Sequence, residues 1–330
     1  MINYLIRRLL SAIPTLLLIS MLVFILIEII PGDYVDQLIS QIIEDSGLQN
    51  ISEGQIELFV QRYGYNQPLY VRYWKWFTHF IRGDLGRSWA YGDQQISELI
   101  GQRLVLTVVV SLCTMVFSMA VAFPVGIYSA IRQYSIGDNI FTVLSFIGLS
   151  IPNFLLALVF IIIGYFSFGQ IPGGLFSPKY LLAPWSFAKF LDMLSHLWIP
   201  VVVLGTAGMA GTMRVLRGNM LDQMTQPYVD TARSKGLKEN KVILKYPLRI
   251  AINPFITGLG MSLPGIIGGE LIVSIVLNLP TTGPLLYDAV LQHDAYLAGA
   301  MVMILSTLLV VGNLLADFAL AWVDPRIRYK

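Results

Sequence analysis

The feature that most constrains this chain is where its charges stop. Leu9 to Ile27 carries none, and at 1.5 Å per residue such a run crosses a hydrocarbon core of about 30 Å as a helix. A signal peptide would also place arginines, here Arg7 and Arg8, before an apolar stretch. The length of the run and the lack of a small-residue cleavage site before Glu28 set that reading aside. Read along the chain, the apolar runs predict six spans, at about 9–30, 104–131, 139–168, 193–213, 250–277 and 295–323. Ile151-Pro152 should kink the third, and only Glu270 interrupts the fifth. The chain is 55% hydrophobic and 13% charged, against roughly 25% charged in soluble domains. That excludes both a pair of soluble domains and disorder. The expectation is an all-α, polytopic membrane protein, with residues 1–330 forming a single transmembrane domain.

Lys and Arg in the loops set the orientation. Arg7, Arg8, Arg132, the 214–249 loop and the 326–330 tail fall on one side, which is therefore cytoplasmic, with both termini. The opposite side holds the 28–103 loop, whose ten acids outnumber six bases. It also holds the acidic 278–294 loop, which has no Lys or Arg. A net charge of +2 gives no reason to expect nucleic acid as a partner. Cys113 is the one cysteine, and His79, His196 and His293 are scattered, so no metal cluster is predicted. No phosphate-cradling Gly-x4-Gly-Lys-Ser/Thr loop occurs, so the chain should carry no ATPase of that kind. Gly148-Leu149-Ser150 is too little to indicate a serine hydrolase without a base inside the spans.

Two loops carry structure. In 28–103, short helices are predicted over Gln55–Tyr63 and Tyr70–Ile81. The second is dense in Tyr and Trp, residues that favour the headgroup level. It could dock an external partner, gate a pathway, or serve as a small aromatic core. Gly83 and Gly86 suit a tight turn with positive φ. In 214–249, Thr225-Gln226-Pro227 reads as a helix start with a hydroxyl cap. Tyr228 to Lys235 follows as about two turns, and Gly236 sits where a left-handed residue ends a helix. A second short helix runs from Lys238 to Tyr246 and stops at Pro247. Two short helices joined at a glycine make a compact knob suited to a cleft on another protein. The basic residues of this loop could also bind anionic lipid headgroups.

Asp230-Thr231-Ala232, three residues, then Gly236 resembles the Glu-Ala-Ala–x3–Gly motif in permease subunits of binding-protein-dependent ABC importers. Leu248 follows at a distance that suits the motif. The dipeptide, oligopeptide and nickel branch is the most similar. Ile30-Pro31-Gly32-Asp33, Gly83-Asp84-Leu85-Gly86-x-Ser88, Thr231-Ala232-Arg233-x-Lys235-Gly236-Leu237, Pro247-Leu248-Arg249 and Asp324-Pro325-Arg326-Ile327-Arg328 occur in that branch's order. The resemblance implies a type I importer permease fold in a bacterial or archaeal cytoplasmic membrane. It implies a second homologous permease, two ATP-binding subunits that hold the ATP and Mg, and an extracytoplasmic solute-binding protein. Substrates of the branch include oligopeptides, oligosaccharides and nickel chelates.

By the same resemblance Tyr228, Asp230, Thr231, Ala232, Arg233, Lys235, Gly236 and Leu237 form the ATPase-coupling segment. Asp230 keeps the motif's charge on a shorter side chain, and Arg233 is expected to make a charged contact. Along the translocation path the candidates are Pro152, Ser274 and Glu270. Ser274 occupies the place where the branch often carries a glutamate, and Glu270 lies one turn earlier. An intramembrane carboxylate faces a partner, a backbone donor or water. Glu270 therefore either lines the path or holds an interface, and an ion-coupled secondary transporter built on it is the alternative function.

Overall fold

The computed structural model describes residues 2–29, 67–88, 90–168, 173–181, 183–255 and 271–323. The predicted Gln55–Tyr63 helix, the carboxylate Glu270, most of the fifth apolar run and the C-terminal arginines lie outside these residues. The elements in chain order are α1 (Ile2–Ile29), α2 (Leu69–Ile81), β1 (Arg87–Ser88), β2 (Gln94–Gln95), α3 (Ile96–Ile131), α4 (Ile136–Ser150) and α5 (Asn153–Phe168). There follow α6 (Phe187–Met224), α7 (Pro227–Ser234), α8 (Glu239–Lys245), α9 (Pro247–Ala251), α10 (Leu271–Val276), α11 (Thr282–Leu291) and α12 (Ala295–Val323). Among the described residues four helices are long and apolar enough to span a membrane, with segments at Arg7–Ile29, Ile96–Ile131, Phe187–Met224 and Ala295–Leu315. The pair α4–α5 passes the same test jointly.

The break at Ile151-Pro152 is deeper than the kink expected from sequence. α4 and α5 meet at 97°. Proline disfavours helical geometry in the residue before it, and Ile151 is extended at φ −85° and ψ 120°. Pro152 has no N–H to leave unpaired, and its carbonyl starts α5 by accepting from Leu155 and Leu156 at 2.9 and 3.2 Å.

The chain divides into two compact units. In the unit made of 1–104 and 285–314, the aromatic helix α2 lies on α1. Tyr73 Oη and Ser20 Oγ are 2.8 Å apart, Arg72 pairs with Glu28 at 2.7 Å, and Phe24 packs edge-on to Tyr73. One face of α2 is thus an aromatic core, while Tyr70 and Trp74 on the other remain exposed. The turn after α2 has the positive φ its glycines suggest, +81° at Gly83 and +83° at Gly86. Asp294, fully buried, caps α12 through the Leu297 N–H at 3.0 Å and accepts from Ser88 Oγ at 2.5 Å. Tyr91 donates to Asp288 at 3.2 Å. Burial, and then the Asp288 carboxylate, push its phenol up from the ordinary value.

In the unit made of 105–284 and 315–330, α6 is the spine. Its 38 residues would extend about 57 Å, so it runs well past the predicted span at 193–213. α4, α5 and α9 all pack on it. Close approach is set by small residues: a Cβ added at Gly205 would lie 2.7 Å from the Phe117 ring and 3.1 Å from Ser118 Oγ, and Ser118 donates to the Gly205 carbonyl at 3.0 Å. Gly211, six residues on, faces open space. Gly205→Val should therefore destabilise the detergent-solubilised protein by about 1–3 kcal/mol through overpacking. Gly211→Ala should be neutral or slightly stabilising through helix propensity. Thermal unfolding of the two variants side by side checks this.

Candidate functional site

The knob forms where sequence placed two short helices, with a different start. Thr225 does not cap α7: its hydroxyl donates back to the Asp222 carbonyl at 3.0 Å and closes α6. Gln226 takes the cap position with extended backbone and no side-chain bond, and Pro227 stands at the first helical position. Proline there loses no hydrogen bond, since the first N–H groups of a helix have no internal partner. Gly236 has φ +72°, and no atom lies within 4 Å of where its Cβ would be. The requirement for glycine here is conformational and has nothing to do with space. Pro247 ends α8 and also opens α9 at its first turn.

The motif residues divide by exposure. Val229, Ala232 and Val242 are buried into a small core of the knob itself, with Tyr228, Leu237 and Tyr246 packed around them. Tyr228 Oη also donates to Gln223 Oε1 at 2.7 Å, tying α7 to the end of α6, and burial pushes its phenol above the ordinary value. Asp230, Thr231, Lys235 and Gly236 are exposed; Thr231 spends its hydroxyl on the Pro227 carbonyl at 2.9 Å.

Arg233, expected from sequence to make a charged contact, makes it within the knob. Nη2 reaches Glu239 Oε1 at 2.8 Å and Nε reaches Oε2 at 3.3 Å. Nη1 is 3.4 Å from Asp230 Oδ1. This fork bridges α7 to α8 across the glycine. The bond to Glu239 raises the guanidinium's pKa further, and the guanidinium holds the Glu239 carboxyl below its ordinary value.

Sequence reading missed two features. Leu244 on α8 is 61% exposed, a large apolar side chain left on the knob's surface; its helical register opposite Val242 could have marked it. Near the knob, Asp138 and Arg217 form a bidentate pair. The Ser135-x-x-Asp138 pattern signals a helix start, yet nothing in sequence links it to a residue beside another apolar run.

The path candidates are only partly brought together. Ser274 is buried on α10, and α10 packs on α5, the half-helix that Pro152 opens. Pro152 itself is exposed, and Glu270 is outside the described residues. No group of three or more His, Cys, Asp or Glu side chains that could hold a metal occurs among the described residues.

Comparison with known proteins bears on the whole length. Residues 122–329 match the family described as binding-protein-dependent transport system inner membrane component, and residues 1–111 match its N-terminal companion. The chain is 40% identical, over all of both chains, to the oligopeptide transport system permease protein AppB of Bacillus subtilis. It is 31% identical, again over all of both chains, to the glutathione transport system permease protein GsiC of Salmonella typhimurium. Among solved structures it resembles a chain of the MetNI methionine ABC transporter in inward-facing conformations. That match has a TM-score of 0.52 at 16% identity, covering 68% of this chain and 96% of that one, and it shows a shared fold.

Because Gly236 is needed for its dihedral alone, Gly236→Asn should keep the knob protected, since asparagine tolerates left-handed geometry. Gly236→Val should expose residues 235–247 to limited proteolysis in the solubilised protein. In the wild type the sign of the pH effect follows from Glu239. Its folded-state pKa is depressed, so the clamp to Arg233 is present above the unfolded value and is lost as pH falls through the lower folded one. Protection of the knob should accordingly hold through neutral and mildly acid pH and weaken only once pH falls below the ordinary glutamate range.

Proposed function

Since this chain belongs to the family of binding-protein-dependent transport system inner membrane components, the permeases of ABC importers, we propose that its knob at 227–247 is the coupling element that receives the stroke of the ATPases. The permease is not an enzyme, and ATP hydrolysis lies on separate subunits. The importer works with a partner permease, ATPase subunits and a solute-binding protein. The finer assembly is part of the proposal. One second, homologous permease shares the path, two ATP-binding subunits drive it, and both termini of this chain face the cytoplasm. The cargo is a peptide: the relatives named for oligopeptides and glutathione support this over an oligosaccharide or a nickel chelate.

The observation that carries the reading is the division of the knob into an apolar inside and a polar, motif-bearing outside. Val229, Ala232 and Val242 hold two helices as one body, and the Arg233 fork braces it. Asp230, Thr231 and Lys235 are left on the surface. A body stiffened in this way can transmit a push without deforming. The exposed Leu244 supplies an apolar anchor for a groove, the kind of central contact that dominates docking energies. Movement of the ATPase pair would then be passed along α6, which enters the knob directly, and alternating access follows as rigid-body rocking. An ion-coupled carrier built on Glu270 is not favoured by membership of this family.

Single cysteines placed at Asp230, Lys235 and Leu244, in a Cys113→Ser background, should crosslink to the ATPase subunits in the assembled importer. Absence of all three crosslinks would remove the coupling assignment. Leu244→Asp should lower co-purification of the ATPase subunits. Gly236→Val should leave the protein inserted in the membrane with ATP hydrolysis no longer linked to uptake.

A further inference from the structure

The knob continues α6, and both α4 and α5 pack along α6; for α4 to follow a push on α6 without slipping, one of these lateral contacts has to be a firm link. The structure provides one at the end of α6 nearer the knob. Asp138, in the first turn of α4, is 1% exposed. Its Oδ1 accepts from Arg217 Nε and its Oδ2 from Arg217 Nη2, both at 2.8 Å. The Tyr134 N–H donates to Oδ2 at 2.9 Å and the Thr142 hydroxyl to Oδ1 at 3.4 Å. The carboxylate is saturated, and the guanidinium is held to it by two parallel bonds.

Farther along the same antiparallel seam the contacts are of another kind. Ser145 Oγ meets Met213 Sδ at 2.7 Å. Gly148 sits against Thr206 and Ala210, with room for a Cβ only 3.2 Å from Thr206 Cγ2. Arg214 stacks over the Phe146 ring at 4.5 Å. Gly, Ser, Ala and Thr allow two helices to approach closely but give little resistance to sliding or rolling. A fork of two parallel bonds fixes both register and rotation. Stability is a poor reason for such a pair, because desolvation offsets most of its attraction and apolar replacements are often neutral.

We infer that the Asp138–Arg217 pair is the joint that makes α4 move with α6, so that a stroke received at the knob reaches α5 through the bend at Ile151-Pro152. Arg217 lies seven residues before the end of α6 at Met224, about 10 Å along the helix axis, close to the driving end. Asp138 and Arg217 are positioning residues: they touch neither nucleotide nor cargo. The inference rests on the coupling reading of the knob.

The test uses the complete importer, with its ATPase subunits and binding protein, in proteoliposomes. In the otherwise wild-type complex, with Cys113→Ser, spin labels at the exposed Leu144 on α4 and Val215 on α6 should keep one separation in nucleotide-free and ATP-bound states. A separation that changes between these states overturns the proposal, whatever the variants do. In Arg217→Lys, which keeps the charge and loses the fork, and in Asp138→Asn, the separation should broaden. Uptake per ATP hydrolysed should fall by roughly 3- to 30-fold, the range of changes along coupled elements. Knob-to-ATPase crosslinks and the amount of assembled complex should stay as in wild type. A purely structural role would lower assembly and leave uptake per ATP of the assembled fraction unchanged, and that outcome also overturns the joint. Failure of the coupling reading itself would look different, because the knob crosslinks would be absent in wild type.

Discussion

Hydrocarbon offers a peptide N–H or C=O no partner, so a chain dissolved in it must satisfy its backbone within each segment. That constraint explains why the uncharged runs are helices, and it also dictates how a helix is allowed to stop. At the bend between α4 and α5 the Ile151 N–H still reaches the Ile147 carbonyl at 3.1 Å. Pro152 contributes no donor, and its carbonyl is taken up at once by the next helix. A 97° turn is made with the Ile151 N–H and the Pro152 carbonyl both paired.

The same logic governs the side chains. Several charged and polar groups that enter the helical body are committed to partners at close range. Asp138 is gripped by Arg217. Asp192 accepts from the Ser177 N–H and hydroxyl at 2.8 and 2.5 Å. Lys189, nearly buried, donates to the Ala183 carbonyl at 2.6 Å and lies over the rings of Phe176 and Trp185. Polar pairs of this sort contribute direction more than net energy. Between them, helices approach at Gly126, Gly148 and Gly205, where the absence of a side chain brings neighbouring atoms into contact.

In the knob the balance reverses. The knob has only Val229, Ala232 and Val242 as a fully buried interior, too little to hold its shape unaided. It borrows stiffness from its junctions: the Tyr228 bond to Gln223, the Arg233 fork to Glu239, the left-handed Gly236 and Pro247 at the start of α9. The proposed coupling role calls for an element of this character, one that a separate ATPase can push and that passes the push on. α6 joins the two regimes, as one continuous helix from Phe187 to Met224 at the edge of the knob.

Sequence by itself determined the class of the protein and the place of its knob. Charge-free runs report directly on solubility in lipid, and Pro227, Gly236 and Pro247 act on their own backbone dihedrals, a local effect that needs no neighbour to be read. The family motifs are likewise local, which is why the permease assignment was legible from residues 228–237 and from short stretches elsewhere. Tertiary structure decided what depends on distance in space. It showed that Arg233 is used inside the knob, that Ala232 is interior while Asp230 is surface, and that Ile151-Pro152 turns the chain through 97°. It also joined Asp138 to Arg217, 79 residues away. A carboxylate and a guanidinium that flank different apolar runs carry no mark of each other in the chain, because their pairing is set by the helix packing that brings them together.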